Sequence, residues 1–310
     1  MASNEDILKL CGRDKKHFVQ LCLSADKLKG TLKFPAYISE KLDGVYALAH
    51  CCFEGDVPAV HIFSRTGEEY KSLEHLKPEL WSIYEKNATA FIIFEAYAPG
   101  IEQPVISGWC RDTKKQHTEV KAYIHDALTH SDFLEDRAPI FTYEQRLKLL
   151  SRIEWQELHW CKIIPQYLVH TQEEVDDFAQ KIWNAGGEGA IVRYADGLYA
   201  PGKRDWTMVK YKQGVSYDLE VVALQPGHGK YEGMLGALIC RFKDGKTVTV
   251  GSGLTDEQRR IWSPTPAFLG LGDDIMHKIV QVDAMAESKN GVLREPRFKG
   301  IRYDKLEGDF

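Results

Sequence analysis

The tetrapeptide Lys41-Leu42-Asp43-Gly44 stands between two short apolar runs, AYIS and VYALAH. A lysine at a strand end, followed by an Asp-Gly turn, is set at the edge of a cleft. Its amine can act as a covalent nucleophile when the surroundings lower its pKa and the neutral form is present. Alone, the tetrapeptide equally describes a hairpin turn with a surface lysine. Further residues with chemical potential follow in order. Glu95 ends the run FIIF, Tyr123 lies in KAYIHDAL, and Glu188 stands between Gly187 and Gly189 ahead of AIVRY. Lys210 and Lys212 alternate along TMVKYK, which points both to one face of a strand. Arg302, Asp304 and Lys305 follow in IRYDK. Each has an ordinary structural reading, as a strand-end charge, a core aromatic, a helix-to-strand turn or the wet face of an edge strand. Their recurrence at strand ends, in one order, is hard to assemble by accident.

These residues need elements to hold them. The first 35 residues read as a helix or two with polar connections. From Ala36 onward, runs rich in Val, Ile, Phe and Tyr read as strands: AYIS, VYALAH, AVHIF, AFIIF, KAYIH, IIPQYLVH, GAIVRY and TMVKY. Between them the pattern predicts a helix from Thr142 to Ile153, with Leu147 and Leu150 inward. A second helix is marked by a capping box, Thr171 with Glu174 three residues later. Its apolar stripe is Val175, Phe178, Ile182 and Trp183, and Gly186-Gly187 ends it. Many strands with a few helices, not in strict alternation, predict an α+β fold. Gln213-Gly214-Val215-Ser216 reads as a connection, so residues 1–213 form a larger mixed domain and 214–310 a second one. The second domain offers DLEVVAL, GALICRF, KTVTVGS, KIVQVDA and RFKGIRY, with one helix near Asp256 to Trp262. Five short strands in that space fit a small closed β-barrel of OB type.

Composition sets the outer bounds. The 310 residues are 44% hydrophobic, sufficient for a substantial core and more readily two domains than one. No run approaches a membrane span, and the acidic, polar start MASNEDILKL lacks the form of a secretory signal. The seven cysteines contain no Cys-x-x-Cys pair, and Cys51-Cys52 lies in an apolar stretch, which points to buried thiols in an intracellular setting. The net charge of −5 does not advertise a nucleic-acid binder, but it averages over faces. Residues 287–305 carry six basic side chains against three acidic ones, and Arg111, Lys114, Lys115 and Lys121 form a second basic stretch.

The ordered set resembles the covalent nucleotidyltransferases, the family of DNA ligases, RNA ligases and mRNA capping enzymes, over about residues 36 to 305. Lys41 to Gly44 matches the family's nucleophile motif, and Ser64-Arg65-Thr66-Gly67 resembles its Ser-Arg-x-Gly element. Glu95 matches the carboxylate of the third motif, and Tyr123 the aromatic that stacks on the purine. Glu188-Gly189 matches the fourth motif, Lys210 and Lys212 the fifth, and LREPRFKGIRYDK looks like the sixth motif of DNA ligases. The sequence departs at Tyr46, where the family often has Arg. It departs again before Lys41, where Ser39 replaces a frequent Glu and Glu40 adjoins the lysine.

The resemblance implies an adenylation domain of antiparallel sheets and helices followed by an OB-fold barrel. It implies an ATP-dependent DNA ligase that seals nicks through a lysyl-AMP intermediate. Lys41, Arg302 and Lys305 are then catalytic, while Glu40, Arg65, Glu95, Tyr123, Lys210 and Lys212 bind the nucleotide. Glu188 and Glu95 hold Mg2+ or Mn2+. Lys210, Lys212 and the metal would depress the Lys41 pKa, and the barrel would swing on a hinge near Gln213 to Ser216. The expected partner is nicked double-stranded DNA, bound by a monomer without a membrane, in the cytoplasm of a bacterial or phage-infected cell. An RNA ligase or an RNA-capping guanylyltransferase is the alternative within the same family. ATP is favoured over NAD because neither a nicotinamide-binding domain nor a paired-cysteine zinc module is evident. DNA is favoured over RNA by the C-terminal barrel and its ending.

Overall fold

A computed structural model describes residues 4–134, 139–242, 244–264, 275–284, 293, 295–303 and 307–308. The chain divides into two compact units, Met1–Tyr211 and Lys212–Phe310. The first contains strands β1 (Leu21–Ser24), β2 (Ala36–Glu40), β3 (Val45–Glu54), β4 (Val57–Ser64), β5 (Phe91–Tyr97) and β6 (Lys121–Leu128). It continues with β7 (Cys161–Ile163), β8 (Tyr167–Val169), β9 (Gly189–Tyr194) and β10 (Arg204–Lys212), whose last residue opens the second unit. Its helices are α1 (Asn4–Leu10), α2 (Lys77–Asn87), α3 (Gln103–Arg111), α4 (His130–Phe133), α5 (Tyr143–Leu150) and α6 (Gln172–Asn184).

Two five-stranded sheets result, in the orders β1-β10-β9-β2-β8 and β4-β3-β5-β6-β7. The pairings are antiparallel except at β1–β10 and β6–β7, among those defined. Helices α6, α2 and α3 pack on one face of each sheet, and α1 and α4 pack with Leu48, Phe63 and Ile93 on the other face of the second sheet. On the first sheet, Ile38, Val192 and Val209 pack with Val175 and Ala179 of α6. On the second, Ala47, Phe94 and Ile124 pack with Leu80 and Ile83 of α2 and with Ile106 and Cys110 of α3. Removing one such side chain from water contributes roughly 1.5–3 kcal/mol for the larger aliphatics, so the helix-facing rows fix which way every strand is turned. By the two-residue period, the rows between them must face the other way.

The helices start where their caps require. The Thr171 side chain accepts from the backbone of Glu174, and the Glu174 carboxylate accepts from the Thr171 N–H. Thr142 and Gln145 do the same for α5, which ends at Leu150, three residues short of the predicted limit. Two strand readings are corrected. Leu21–Ser24, expected within polar connections, is strand β1, because parallel pairing with β10 supplies its partners. The run IIPQYLVH is not one strand. Pro165 has no N–H to donate, and the chain passes from β7 in one sheet to β8 in the other.

The second unit contains β11 (Val215–Pro226), β12 (Leu235–Arg241), β13 (Thr247–Val250), β14 (Ile279–Ala284) and β15 (Arg297–Ile301), with helix α7 (Asp256–Ile261). They form one antiparallel sheet in the order β13-β12-β11-β14-β15. Among the described residues, this sheet does not close into the expected barrel. β13 is only four residues long, and among those residues the edges meet through one parallel bridge, between Ser252 and Arg297. Leu219, Val221, Leu238, Val280, Val282 and Phe298 are among its buried core. The buried Arg259 of α7 donates to the carbonyls of Leu235 and Gly236 at 2.9 and 2.7 Å, pinning the helix to β12. No helix among the described residues is long and apolar enough to cross a membrane.

Candidate active site

Lys41 follows β2 directly, and its backbone N–H donates to the Gly189 carbonyl at 2.8 Å, which carries the β2–β9 ladder one step further. Within that ladder Tyr37 faces Arg193 and Ser39 faces Ile191. These rows lie opposite the α6-covered row of Ala36, Ile38 and Val192. On β10, Val209 belongs to the α6 side and Tyr211 packs there too, so Lys210 and Lys212 point to the face away from α6 by alternation. The second sheet contributes from β5 and β6. Glu95 lies opposite Tyr46 on β3 and opposite Tyr123 on β6, away from the row of Phe94, Ala96 and Ile124.

The Lys41 Nζ donates to Glu188 Oε2 at 2.5 Å, and both side chains are largely buried. Burial works to lower the Lys41 pKa, but the charge and hydrogen bond of Glu188, with Glu95 adding to them, outweigh it. The result is a pKa above the ordinary lysine value. This corrects the expected depression: the nearest strong influence is a carboxylate, not a cation. Glu95 is pushed the other way, to about 7, chiefly by burial. Lys41 opposes that shift, while the negative charges of Glu188 and Asp43 add to it. Gly44 is required by the same packing. A Cβ there would lie 2.6 Å from the Ala96 carbonyl and 2.7 Å from Glu95 Cγ, so the turn after Lys41 can close onto Glu95 only as glycine.

Tyr123 meets Tyr97 edge-on, with ring centroids 5.5 Å apart and planes at 78°. Glu40 is exposed, on the α6 side of β2 by alternation, with Oε1 3.3 Å from where a Gly187 Cβ would be. Arg65 is exposed on the turn after β4, a turn held by Ser64 Oγ accepting from the N–H groups of Thr66 and Glu68. Tyr46, at the position of the family's arginine, packs against the buried cluster of Leu48, Phe63 and Ile93. In the second unit, Arg302 Nη1 lies 3.1 and 2.8 Å from the two carboxylate oxygens of Asp218. Lys305 and Asp304 lie outside the described residues.

Three residues on the faces turned away from α6, α2 and α3 escaped the sequence reading. Arg193 is 7% exposed and sits 3.1 Å from His125 Nδ1. Alternation along GAIVRY, with Ile191 and Arg193 on one side, was a usable signal. Tyr97 follows Glu95 by two residues and could have been found the same way. Cys22 had no such signal, because β1 was not legible. Burial raises its thiol pKa against the nearby charges of Arg193, Lys41 and Lys210, which places it among the site's cations.

Comparison with known proteins bears on this arrangement. Residues 19–212 match the model of the ATP dependent DNA ligase domain, and residues 226–302 that of the DNA ligase OB-like domain. A DNA ligase of Methanococcoides burtonii is 29% identical over 298 residues, covering 86% of this chain and 50% of its own length. The chain spans at most about half the length of the curated relatives it matches. Among solved structures, Pmar-Lig_PreS3 superposes with a TM-score of 0.73 at 22% identity, over 92% of this chain and 68% of that one. A structure from the Lig E DNA ligases gives 0.68 at 18% identity, over 92% and 98%. These two likenesses concern the fold. The match over residues 19–212 takes in Lys41, Glu95, Tyr123, Glu188 and Lys210, and by it the chain belongs to the ATP-dependent DNA ligase family.

Proposed function

We propose that the chain is an ATP-dependent DNA ligase that joins a 5′-phosphate to a 3′-hydroxyl at a nick in duplex DNA. Lys41 is the nucleophile that carries AMP before its transfer to the 5′ end. The observation that carries this reading is the Lys41–Glu188 contact at 2.5 Å, in a buried setting beside Glu95. A surface lysine in a hairpin turn would have no reason to sit there.

The same contact says how the amine becomes reactive. Burial already favours the neutral form of Lys41, and Glu188 is what retains the proton. Engaging the Glu188 carboxylate elsewhere therefore releases the nucleophile. Among the described residues, no group of three His, Cys, Asp or Glu side chains is placed to hold a metal ion by itself. Glu188 and Glu95 are the two carboxylates whose charges act on Lys41, and the Glu95 pKa of about 7 reflects a carboxyl that burial and its acidic neighbours keep from ionising. Oxygen donors of this kind suit Mg2+ or Mn2+. Glu188 and Glu95 would hold the ion, whose chemistry is to neutralise phosphate oxygens. Tyr123 offers its ring to the adenine, and Lys210 and Lys212 their charge to the phosphates. Arg302 and Lys305 orient the leaving pyrophosphate. Attack by the Lys41 amine at the α-phosphorus forms the P–N bond and breaks the bond to pyrophosphate. Nicked DNA is the partner of a monomer, in an intracellular setting where seven free cysteines are at home.

The test is incubation with ATP labelled at the α-phosphate and magnesium, followed by a chase with nicked DNA or nicked RNA duplex. Label should appear on Lys41 and leave with the DNA. Label that survives Lys41→Ala would overturn the assignment, as would transfer to the RNA duplex alone.

A further inference from the structure

We infer that Asp218 is the positioning residue for Arg302, holding its guanidinium in the orientation that meets the pyrophosphate portion of ATP. The inference rests on the role proposed for Arg302 and extends it to Asp218, which the sequence placed only in the strand DLEVVAL and gave no chemistry.

Both residues lie in the second unit, two strands apart on its sheet. Asp218 is on β11, directly opposite Gln281 of β14. Arg302 follows β15, and its backbone N–H donates to the Ile279 carbonyl at 2.8 Å, which fixes its Cα against β14. From there the side chain reaches across to Asp218, and one nitrogen, Nη1, spans both carboxylate oxygens at 3.1 and 2.8 Å. The burial is asymmetric. The Asp218 side chain is 6% exposed and that of Arg302 31%, so the acid is the anchored half and the cation the reachable one. Gly308 lies against the β11 backbone at this point: a Cβ on it would be 2.9 Å from the Asp218 main-chain carbonyl oxygen.

An arginine side chain has many rotamers, and ordering it against a phosphate costs side-chain entropy. A buried carboxylate that holds one edge of the guanidinium removes much of that cost beforehand, in the manner of a preorganised electrostatic site. It also lowers the local positive charge. Asp218 thus trades net charge for direction, which is worthwhile only if the direction is used. A planar guanidinium recognises phosphate oxygens through its geometry, so direction is what it has to offer.

The test compares Asp218→Ala, Asp218→Asn, Arg302→Ala and the double variant Asp218→Ala/Arg302→Ala in the full chain. Two steps are timed, self-adenylylation and sealing of a pre-adenylylated nick, and inorganic pyrophosphate binding is measured by calorimetry. Asp218→Ala should slow self-adenylylation by about 10-fold or more and weaken pyrophosphate binding, with sealing changed by less than about 3-fold. Asp218→Asn keeps an acceptor oxygen and should recover most of the loss. The double variant should be no slower than Arg302→Ala, because a positioning residue has nothing to act on once its partner is gone. Multiplying effects in the double variant would overturn the inference. So would equal slowing of both steps, the signature of a merely structural role. Should the unsubstituted chain take no label from ATP, the ligase reading itself fails. In that event, pyrophosphate affinity unchanged by Asp218→Ala still counts against the Asp218 role. Should Asp218→Ala fail to fold, Asp218→Ser, whose shorter side chain cannot span to Arg302, takes its place: slowed self-adenylylation with weakened pyrophosphate binding supports the inference, and unchanged binding opposes it.

Discussion

Lys41 Nζ and Glu188 Oε2 are 2.5 Å apart, and this pairing raises the Lys41 pKa above the ordinary lysine value. Under the role proposed for Lys41, the depressed pKa of a nucleophilic lysine is reached only when Glu188 is engaged elsewhere. Burial supplies the tendency and Glu188 withholds it.

Replacing Glu188 with Gln tests that division. The hydrogen bond can persist in weakened form, but the charge that raises the Lys41 pKa is gone, leaving burial to lower it. Competitive acetylation of the lysines across pH 7–10, read by mass spectrometry without nucleotide, should show Lys41 titrating at lower pH in Glu188→Gln. Its relative reactivity near pH 8 should rise in step, because the neutral fraction grows about 10-fold for every pH unit by which the midpoint falls. An unchanged titration would mean that Glu188 does not govern the amine.

Glu95 gives a pH dependence of stability with a definite sign. Its folded pKa of about 7 lies above the ordinary value of 4.5, so the folded state favours the proton. Its contribution is fully present below pH 4.5 and is lost as pH rises through 7. Glu95→Gln remains uncharged throughout. In the presence of EDTA, its Tm should match that of the unsubstituted protein near pH 4.5 and exceed it by several degrees at pH 8. That gap corresponds to on the order of 2 kcal/mol after allowance for solvent screening. A Tm difference that is flat in pH would show that Glu95 is not the group titrating.

The scaffold has its own exposed dependence, at Asp126 and Arg146. Arg146 Nε and Nη2 donate to the two oxygens of Asp126 at 2.7 and 3.0 Å, and both residues are 4% exposed or less. The pair ties α5 to β6, the strand that presents Tyr123. Asp126→Leu leaves a buried guanidinium without its carboxylate and should cost about 3–5 kcal/mol, whereas Asp126→Leu/Arg146→Met should cost less than either single change, Asp126→Leu or Arg146→Met. Urea unfolding of the four proteins would decide this, and additive losses would refute the coupling.

How far the sequence reaches is clear from individual elements. The α6 start was legible because Thr171 and Glu174 satisfy each other within one turn. Alternation around Lys210 was legible because a strand repeats every two residues. Leu21–Ser24 was not legible, since its partners Arg204 to Lys210 lie far along the chain and four residues carry too little pattern. That the sheet of the second unit does not close among the described residues was missed for a similar reason. Strand count is local information, but whether the edges pair depends on the length and register of β13 and β15. At the site, the sequence named Lys41 and Glu188 separately, and their types could not reveal that one sets the charge of the other. Only the 2.5 Å separation does that.

Tyr123 provides the last test, because its two proposed attributes can be separated. The ring is held edge-on by Tyr97 and stands opposite Glu95 in the β5–β6 register, so its plane is set by neighbours and not by a ligand. If stacking on adenine is its use, the aromatic face matters and the hydroxyl does not. Tyr123→Phe should then leave the ATP concentration for half-maximal adenylylation within about 2-fold, while Tyr123→Ala should raise it by about 5- to 100-fold, the range of 1–3 kcal/mol typical of base–aromatic stacking. A residue that holds the base acts on affinity, so the adenylylation rate at saturating ATP should fall much less than the affinity. A loss confined to that saturated rate, with affinity intact, would move Tyr123 from holding the base to shaping the reacting centre, and a Tyr123→Phe variant as impaired as Tyr123→Ala would assign the work to its hydroxyl.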